Sequence, residues 1–158
     1  MSTPDIAVRE LVGQRCWYIS AGGVTAPSFV VVMGNRVTRE RPLANKHHPQ
    51  EFRENRGSVE LLVWCSWRLQ RGREVLASSD QGQFGLATVK GIVGAVVDEA
   101  TCTPPAWDLT VRLSNGLELQ VFCDHVEPNA SASQNWELWY PGGYACAGPG
   151  GEWTEEAP

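Results

Sequence analysis

The segment Asp108–Phe122, DLTVRLSNGLELQVF, decides the fold class of this chain. Apolar and polar residues alternate on both sides of its centre, which is the period of two expected of strands with one buried face. At the centre stands Asn115-Gly116, a dipeptide that favours a two-residue turn because both turn positions take positive φ. The segment therefore predicts an antiparallel β-hairpin.

A similar segment stands about 80 positions earlier in the chain. Ser28–Glu40, SFVVVMGNRVTRE, aligns with the first segment at an offset of 80 and carries the turn dipeptide reversed, as Gly34-Asn35. Upstream of each hairpin, Ile6–Gly13 and Phe84–Gly91 align at an offset of 78, and each predicts a two-turn helix that ends at its glycine. A strand, a loop and a final strand pair also recur in order, which predicts two copies of one β-rich unit.

The predicted fold class is α+β and mostly β, with about eight to ten strands and two short helices in a single domain, 1–158. The two internal repeats are about 4–80 and 81–148, each a short helix followed by about four to five antiparallel strands. A unit of this size buries little apolar surface alone and leaves its sheet edges unpaired. We therefore expect the two units to share one core.

Two stretches are expected to be mobile. Residues 149–158, PGGEWTEEAP, are rich in glycine, proline and acid and predict a flexible acidic tail. The polar stretch 41–57 contains the adjacent pair His47-His48, which is expected to face solvent.

Composition narrows the class of protein further. Hydrophobic residues make up 42% and charged residues 20% of the chain, as in soluble globular proteins. No apolar run approaches the roughly 20 residues of a membrane-spanning helix, and the N-terminal residues lack the features of a secretory signal. Five widely spaced cysteines without a C-x-x-C motif predict free thiols rather than a disulfide framework or a zinc site. These features favour a cytoplasmic location and predict no cofactor and no metal.

Charge is distributed unevenly along the chain. Residues 1–80 carry 11 basic and 8 acidic side chains, whereas residues 81–158 carry 2 basic and 10 acidic side chains. Charged side chains that only face solvent would explain such a distribution. Alternatively, the acidic half forms a surface that attracts a basic partner. The basic segment 36–73 contains two tryptophans, as single-strand nucleic-acid sites do, but a sequence pI of about 5.2 argues against a nucleic-acid partner.

No catalytic motif is present. The chain lacks a P-loop, a G-x-S-x-G elbow, a dinucleotide-binding glycine motif and H-E-x-x-H. Cys123 and His125 stand two positions apart around Asp124, so on a strand they would share a face and could act as nucleophile and base. Asp98 and Glu99 could do acid–base chemistry if a cleft separated their pKa values. A hydrolase that uses either pair is therefore an alternative. Both pairs are equally consistent with ordinary residues at the protein surface.

Two regions resemble small bacterial domains of uncharacterised function. The segment Glu60–Asp80, ELLVWCSWRLQRGREVLASSD, has the Trp-Arg strand of these domains, and residues 107–143 have their strand–Asn-Gly–strand and Trp-Glu-Leu motifs. The resemblance covers about residues 58–143, and its motifs are structural. Some of these domains look like immunity proteins encoded with secreted antibacterial toxins. The resemblance implies a protein partner such as a basic toxin domain and supplies no active site.

The leading functional hypothesis is a cytoplasmic protein-binding module that is not an enzyme. It would be an immunity protein that neutralises a toxin enzyme through an acidic, aromatic-containing surface. The residues expected to contact the partner are Trp107, Asp108, Asp124, Glu127, Trp136, Glu137, Trp139 and Tyr140. Alternation along a strand places Trp136 and Tyr140 on one face and Glu137 and Trp139 on the other, and one of these faces must be core. A structural protein that forms a homo-oligomer through sheet edges is the alternative.

Overall fold

The computed structural model of the protein describes residues 4–21, 28–128 and 134–157. Within them the chain forms eleven strands, which are β1 (Cys16–Ala21), β2 (Phe29–Thr38), β3 (Asn55–Val63), β4 (Ser66–Arg71), β5 (Glu74–Ser78), β6 (Val97–Thr103), β7 (Asp108–Leu113), β8 (Leu117–Phe122), β9 (Trp136–Tyr140), β10 (Gly143–Ala147) and β11 (Trp153–Glu156). The α-helices are α1 (Pro4–Val8), α2 (Gln50–Glu54) and α3 (Gln83–Val89). Single 3₁₀ turns span Arg9–Leu11, Ser79–Gln81, Lys90–Ile92 and Pro149–Gly151. The predicted class, α+β and mostly β, is confirmed.

The strands form two antiparallel sheets. The order is β1-β2-β3-β9-β10-β11 in the six-stranded sheet and β5-β4-β8-β7-β6 in the five-stranded sheet. The inner faces pack on each other, as the edge-to-face contact between Phe29 of β2 and Trp67 of β4 shows, with ring centroids 5.3 Å apart. Apolar side chains from both sheets and from α1 and α3 form one continuous buried core.

The chain crosses between the sheets in both halves. Strand β3 leads into β4 through the two residues Trp64 and Cys65, and β8 leads into β9 through residues 123–135. As a result, β1–β3 share a sheet with β9 and β10, whereas β6–β8 share a sheet with β4 and β5. Each half of the chain therefore completes the sheet of the other half.

Reciprocal hydrogen bonds join the two halves. The N–H of Gly13 donates to the carbonyl of Val97, and the N–H of Gly94 donates to the carbonyl of Cys16, both at 2.8 Å. The two glycines have φ values of 85° and 92°, a region that glycine adopts at no steric cost. These bonds relate the halves by an offset of 81.

The offset of 81 corrects the alignment predicted for the helices. Gly13 corresponds to Gly94, three residues beyond the predicted helix end at Gly91. The 3₁₀ turns Arg9–Leu11 and Lys90–Ile92, which follow α1 and α3, stand at the same offset. Gly91 lies inside the second turn, so it does not end the helix. The correspondence describes geometry, and the duplication of an ancestral unit stays a prediction.

The hairpin predicted at Asn115-Gly116 is confirmed, since β7 pairs with β8 in antiparallel register. The loop contains three residues, Ser114 to Gly116, instead of the predicted two-residue turn. Of these, Gly116 has a positive φ, 84°, and its N–H donates to the carbonyl of Leu113 at 3.0 Å. A three-residue hairpin with glycine in the left-handed position has this geometry.

The hairpin predicted at Gly34-Asn35 is wrong. Strand β2 continues through both residues and pairs with β3 on each side of them. The register shifts between Met33 and Arg36, and Gly34 has a φ of 79°. The glycine therefore forms a β-bulge in a continuous strand, which requires the same positive φ as a turn.

The predicted flexible tail is ordered instead. After the 3₁₀ turn Pro149–Gly151, β11 pairs with β10 as the edge strand of the six-stranded sheet. The ring of Trp153 lies 5.5 Å from that of Trp136 and 6.1 Å from that of Trp107. Burial of these aromatic rings holds the C-terminal segment to the core. Pro158 lies outside the described residues.

None of the helices in the described part of the chain combines the length and apolar character needed to cross a membrane.

Candidate functional site

The outer faces of the two sheets differ in chemistry. On the five-stranded sheet the side chains are mostly polar and paired with one another, and the exposed ring of Phe122 lies under the guanidinium of Arg68. Arg112 lies 3.2 Å from Glu99 and 2.9 Å from Glu118, and the Gln70 amide donates to Glu118 at 2.9 Å. The outer face of the six-stranded sheet carries the exposed tryptophans Trp64 and Trp139, and we take it as the candidate binding face.

An open cleft of about 840 Å³ lies on this face. Strands β2, β3, β9 and β10 form its floor, and residues 39–54, here called the wall segment, form one side. Its lining includes Arg39, Phe52, Glu60, Trp139, Tyr144 and Glu156. This volume lies within the range of ligand sites in proteins, and the open shape suits a segment of another chain.

Aromatic contacts hold the wall segment against the sheet. Phe52 is buried, with its ring centroid 4.6 Å from that of Tyr18 and 5.1 Å from that of His48. Tyr18 Oη lies 2.9 Å from His48 Nδ1. Burial, with the charges of Arg39 and His47, lowers the pKa of His48, and burial raises the pKa of Tyr18. At neutral pH the imidazole of His48 is therefore neutral, and a hydrogen bond joins it to the phenol of Tyr18. Of the stretch 41–57, residues 50–54 form α2 and Asn55 begins β3, while its mobility stays a prediction. His47 faces solvent as predicted, but His48 is half-buried against Phe52.

Two aromatic rings lie at the centre of the face. The ring centroids of Trp139 and Tyr144 are 4.4 Å apart, and Trp139 is 48% exposed. In the sheet register Glu60 stands opposite Trp139, and Glu156 stands opposite Tyr144. A row across four strands therefore places the two rings between two carboxylates.

A third carboxylate, that of Glu137, is fixed beside these rings. The indole N–H of Trp64 donates to Glu137 Oε2 at 2.5 Å, and the hydroxyl of Tyr144 donates to Glu137 Oε1 at 2.6 Å. Burial and the contact with Glu137 raise the pKa of Tyr144, so its hydroxyl stays a donor. Trp64, Glu137, Trp139 and Tyr144 form what we call the aromatic–carboxylate site.

The structure separates the eight residues predicted to contact a partner. Glu137 and Trp139 belong to the aromatic–carboxylate site, and Tyr140 lines the cleft while packing partly against the core. Trp136 is 0% exposed, and its indole N–H donates to the carbonyl of Trp107 at 2.8 Å. The predicted contact role of Trp136 is therefore wrong, because its side of β9 is the core side.

The other four predicted contact residues do not line the cleft. Trp107 is half-buried, and its indole donates to a backbone carbonyl at 2.9 Å. Asp108 accepts a backbone N–H at 2.7 Å, and Asp124 accepts the N–H and hydroxyl of Ser66. Glu127 is exposed. Trp107, Asp108 and Asp124 thus stabilise the chain around the ends of β7 and β8, and a partner contact there stays a prediction.

Sequence reasoning missed Trp64, Tyr144 and Glu60. Alternation along β3 places Glu60 and Trp64 on the same side of the strand, so part of the signal was present. The pairing of β3 with β9 was not visible in the sequence, because it joins strands from different halves. That pairing is what brings Trp64 to Glu137.

Cys123 and His125, considered as a nucleophile and base, form hydrogen bonds to different partners. The thiol of Cys123 donates to the carbonyl of Trp107 at 3.3 Å, whereas His125 Nδ1 lies 2.9 Å from the carbonyl oxygen of Gln134. All five cysteines are free thiols, and all but Cys123 are buried. In the ranges that the structure covers, no three or more His, Cys, Asp or Glu residues group to hold a metal.

Asp98 and Glu99 lie on exposed positions of β6, beside a smaller open cleft of about 440 Å³. Glu99 pairs with Arg112, which also pairs with Glu118. The guanidinium of Arg112 therefore balances the charge of Glu99, and Glu99 and Asp98 do not form the predicted acid–base pair.

The fold and the site define a two-sheet, mostly β protein with an aromatic, carboxylate-flanked cleft on one outer face. Comparison with protein-family models, with curated proteins and with solved structures finds no match.

Proposed function

We propose that this chain is a protein-binding module, an immunity protein that binds and neutralises a toxin enzyme through the outer face of the six-stranded sheet. The contrast between the two outer faces supports the proposal. Trp64 and Trp139 are 39% and 48% exposed on one face, whereas the other carries mostly paired polar side chains and a single exposed ring, Phe122, that Arg68 covers. Exposed aromatic residues near the centre of a face are typical of residues that dominate binding energy.

Burial of the exposed ring would supply much of the affinity. A partner that covered the exposed half of Trp139 would remove about 100 Å² of mostly apolar surface from water, worth about 2–3 kcal/mol before the costs of association. The flanking carboxylates favour a basic partner and speed its encounter. The five free thiols suit a reducing compartment, so we place this binding in the cytoplasm.

The experiment compares two corresponding surface positions. Trp67 and Trp136 occupy corresponding positions in the two sheets. In one sheet Trp67 of β4 pairs with Val121 of β8, and in the other Trp136 of β9 pairs with Val63 of β3. Three residues further on, Gln70 therefore corresponds to Trp139, which makes Gln70→Ala the matched control for Trp139→Ala.

A toxin-like open reading frame next to the gene for this chain would supply the partner, which is tested as its purified catalytic domain. Calorimetry measures binding, and the enzyme's own assay measures inhibition. Trp139→Ala is expected to weaken binding at least about 10-fold, and Gln70→Ala to leave it unchanged. Failure of the wild-type proteins to associate, or a loss confined to Gln70→Ala, would contradict the proposal.

Self-association is the second candidate function, because apolar side chains are exposed beside a free sheet edge. Strand β5 is the edge of the five-stranded sheet, and its Val75 is 59% exposed. Phe84 of the neighbouring helix α3 is 84% exposed. Light scattering over a range of concentrations tests this function. A dimer that Phe84→Ser dissociates would support it, and a monomer at every concentration would exclude it.

A further inference from the structure

We propose that the aromatic–carboxylate site receives one arginine side chain of the protein partner. The guanidinium would stack on the face of Trp139 and donate hydrogen bonds to the carboxylate of Glu137. This inference rests on the proposed function and names the chemistry of the central contact.

The rings provide a platform for a planar cation. Trp139 and Tyr144 have ring planes inclined by 47°, and half of Trp139 is open to solvent. A cation is attracted to the negative face of an indole ring, and a guanidinium stacks on such a ring better than an ammonium group does. The exposed indole face therefore favours arginine.

The carboxylate is held in place and lacks a cation of its own. Hydrogen bonds from Trp64 and Tyr144 fix one oxygen each of Glu137. A carboxylate has about four acceptor positions, so capacity remains for the N–H groups of a guanidinium. In the described parts of the chain, ion pairs within 4.0 Å form only between Arg36 and Glu51 and around Arg112. Glu137 is therefore a half-buried, uncompensated negative charge.

The surroundings reinforce this negative potential. No lysine or arginine follows Arg112 in the sequence, so β9, β10 and β11 bring acidic residues alone to the face. Glu60 and Glu156 stand at the two ends of the row that contains the rings. Two cations, Arg39 of the wall segment and Arg56 of β3, act on Glu60 at one end of this row. Among the described residues no ion pair within 4.0 Å involves Glu137 or Glu156, so a cation from outside is attracted to the Trp139–Tyr144 end of the cleft.

At the corresponding position of the five-stranded sheet, an arginine of this chain already stacks on an aromatic ring, as the proposed partner arginine would. By the same register, Phe122 corresponds to Trp64, and Arg68 corresponds to Glu137. The guanidinium of Arg68 lies over the ring of Phe122 at 5.3 Å and donates to Gln120 at 2.6 Å. At this place the five-stranded sheet supplies its own arginine, whereas the six-stranded sheet presents rings and a carboxylate without one. The arginines that lie over rings on the six-stranded sheet, Arg36 over Trp17 and Arg39 over Phe52, are at the wall segment.

The first test uses the full chain and the pentapeptide acetyl-Gly-Gly-Arg-Gly-Gly-amide. The observable is the set of tryptophan indole N–H signals in two-dimensional NMR, assigned with Trp64→Phe and Trp139→Phe. Millimolar peptide is expected to shift the Trp64 and Trp139 signals saturably and less strongly as salt is raised. Peptides with citrulline or lysine in place of arginine, and the variant Gln70→Ala, are the controls.

Glu137→Gln keeps the shape of the side chain and removes its charge, so it is expected to weaken arginine-peptide binding at least about threefold. Gln70→Ala should bind as the wild type does. No saturable shift, equal binding of the citrulline peptide or an unchanged affinity in Glu137→Gln would overturn the inference. Equal binding of the lysine peptide would overturn the assignment to arginine.

The same variants separate this inference from the proposed function. If Trp139→Ala abolishes the complex with the toxin and Glu137→Gln leaves it intact, the face binds the partner and the arginine contact is refuted. If neither variant affects the complex, the proposed function itself fails at this face.

Discussion

Trp136 and Trp139 stand three residues apart on β9 and have opposite environments. Trp136 is fully buried, and its indole donates to the carbonyl of Trp107, whereas Trp139 is 48% exposed above the sheet. Alternation along the strand explains the separation. Alternation alone does not predict which face is buried, because both faces carry tryptophan. The Trp136 face is buried because the second sheet packs against it.

The two tryptophans should differ sharply in their contribution to stability. Trp136→Ala is expected to lower the free energy of unfolding by about 3–5 kcal/mol, because it leaves a large cavity in the core. Trp139→Ala should change it by about 1 kcal/mol or less, as for most surface positions. Guanidinium denaturation followed by circular dichroism measures both values, and equal losses would contradict the assignment of the two faces.

Thiol reactivity should follow burial. Burial raises the pKa of Cys16 and of Cys102 to about 12, and contact with Cys123 together with burial raises the pKa of Cys65. The thiolate is the reactive form, so these groups should resist alkylation at pH 8. Iodoacetamide labelling read by mass spectrometry is expected to modify half-exposed Cys123 first, and all five cysteines after denaturation. Early labelling of Cys16 in the native protein would contradict this.

At the scale of elements, the two glycine-asparagine pairs show what the sequence can and cannot predict. Alternation on both sides of Asn115-Gly116 predicted a hairpin, and β7 and β8 form one. Gly34-Asn35 has similar flanks, yet it lies in a bulge of β2. Both sites need a glycine with positive φ, so local chemistry does not distinguish them. The difference arises because β2 extends along β3 as far as the wall segment.

The attachment of the wall segment should depend on pH. Burial, with Arg39 and His47, lowers the pKa of His48 below its ordinary value of 6.5, so the detached state binds the proton more readily. The contact is therefore at full strength above pH 6.5 and is lost as pH falls through the lowered pKa of the folded state. A protonated His48 is disfavoured in the attached segment by burial and by repulsion from Arg39 and His47.

Amide hydrogen exchange of residues 39–54, corrected for intrinsic rates, measures this effect. Protection is expected to fall between pH 7.5 and pH 5. His47→Gln should keep the dependence and His48→Gln should remove it. A pH-independent protection pattern in the wild type would show that the Tyr18–His48 contact does not hold the segment.

At the scale of the whole molecule, the sequence predicted two units with one core but not how they combine. Residue periodicity reports which face of a strand is buried and says little about its neighbour in the sheet. The pairings of β4 with β8 and of β3 with β9 join residues that are far apart in the sequence, such as Leu69 with Leu119, 50 positions apart, and Val63 with Trp136, 73 positions apart. Such long-range pairings place the cleft, so its residues were recognised only in part.

This exchange of strands leads to a prediction about the halves. Cutting the chain after Gln81, in front of exposed Gly82, gives fragments 1–81 and 82–158. In the first fragment β4 and β5 lose β8, and in the second β9 and β10 lose β3. Each fragment would also expose large core rings, Trp67 in the first and Trp136 in the second. A chain of about 80 residues with these losses has too little buried surface to fold alone.

Each purified fragment is therefore expected to show a disordered circular dichroism spectrum, and an equimolar mixture should recover β structure in a concentration-dependent manner. The indole signals of Trp67 and Trp136, with one fragment labelled at a time, report whether each ring enters the sheet of the other half. A monomeric fragment that folds alone would contradict the shared core. Recovery only on mixing would show that the cleft between β3 and β9 exists because the halves associate, since neither half carries both of its sides.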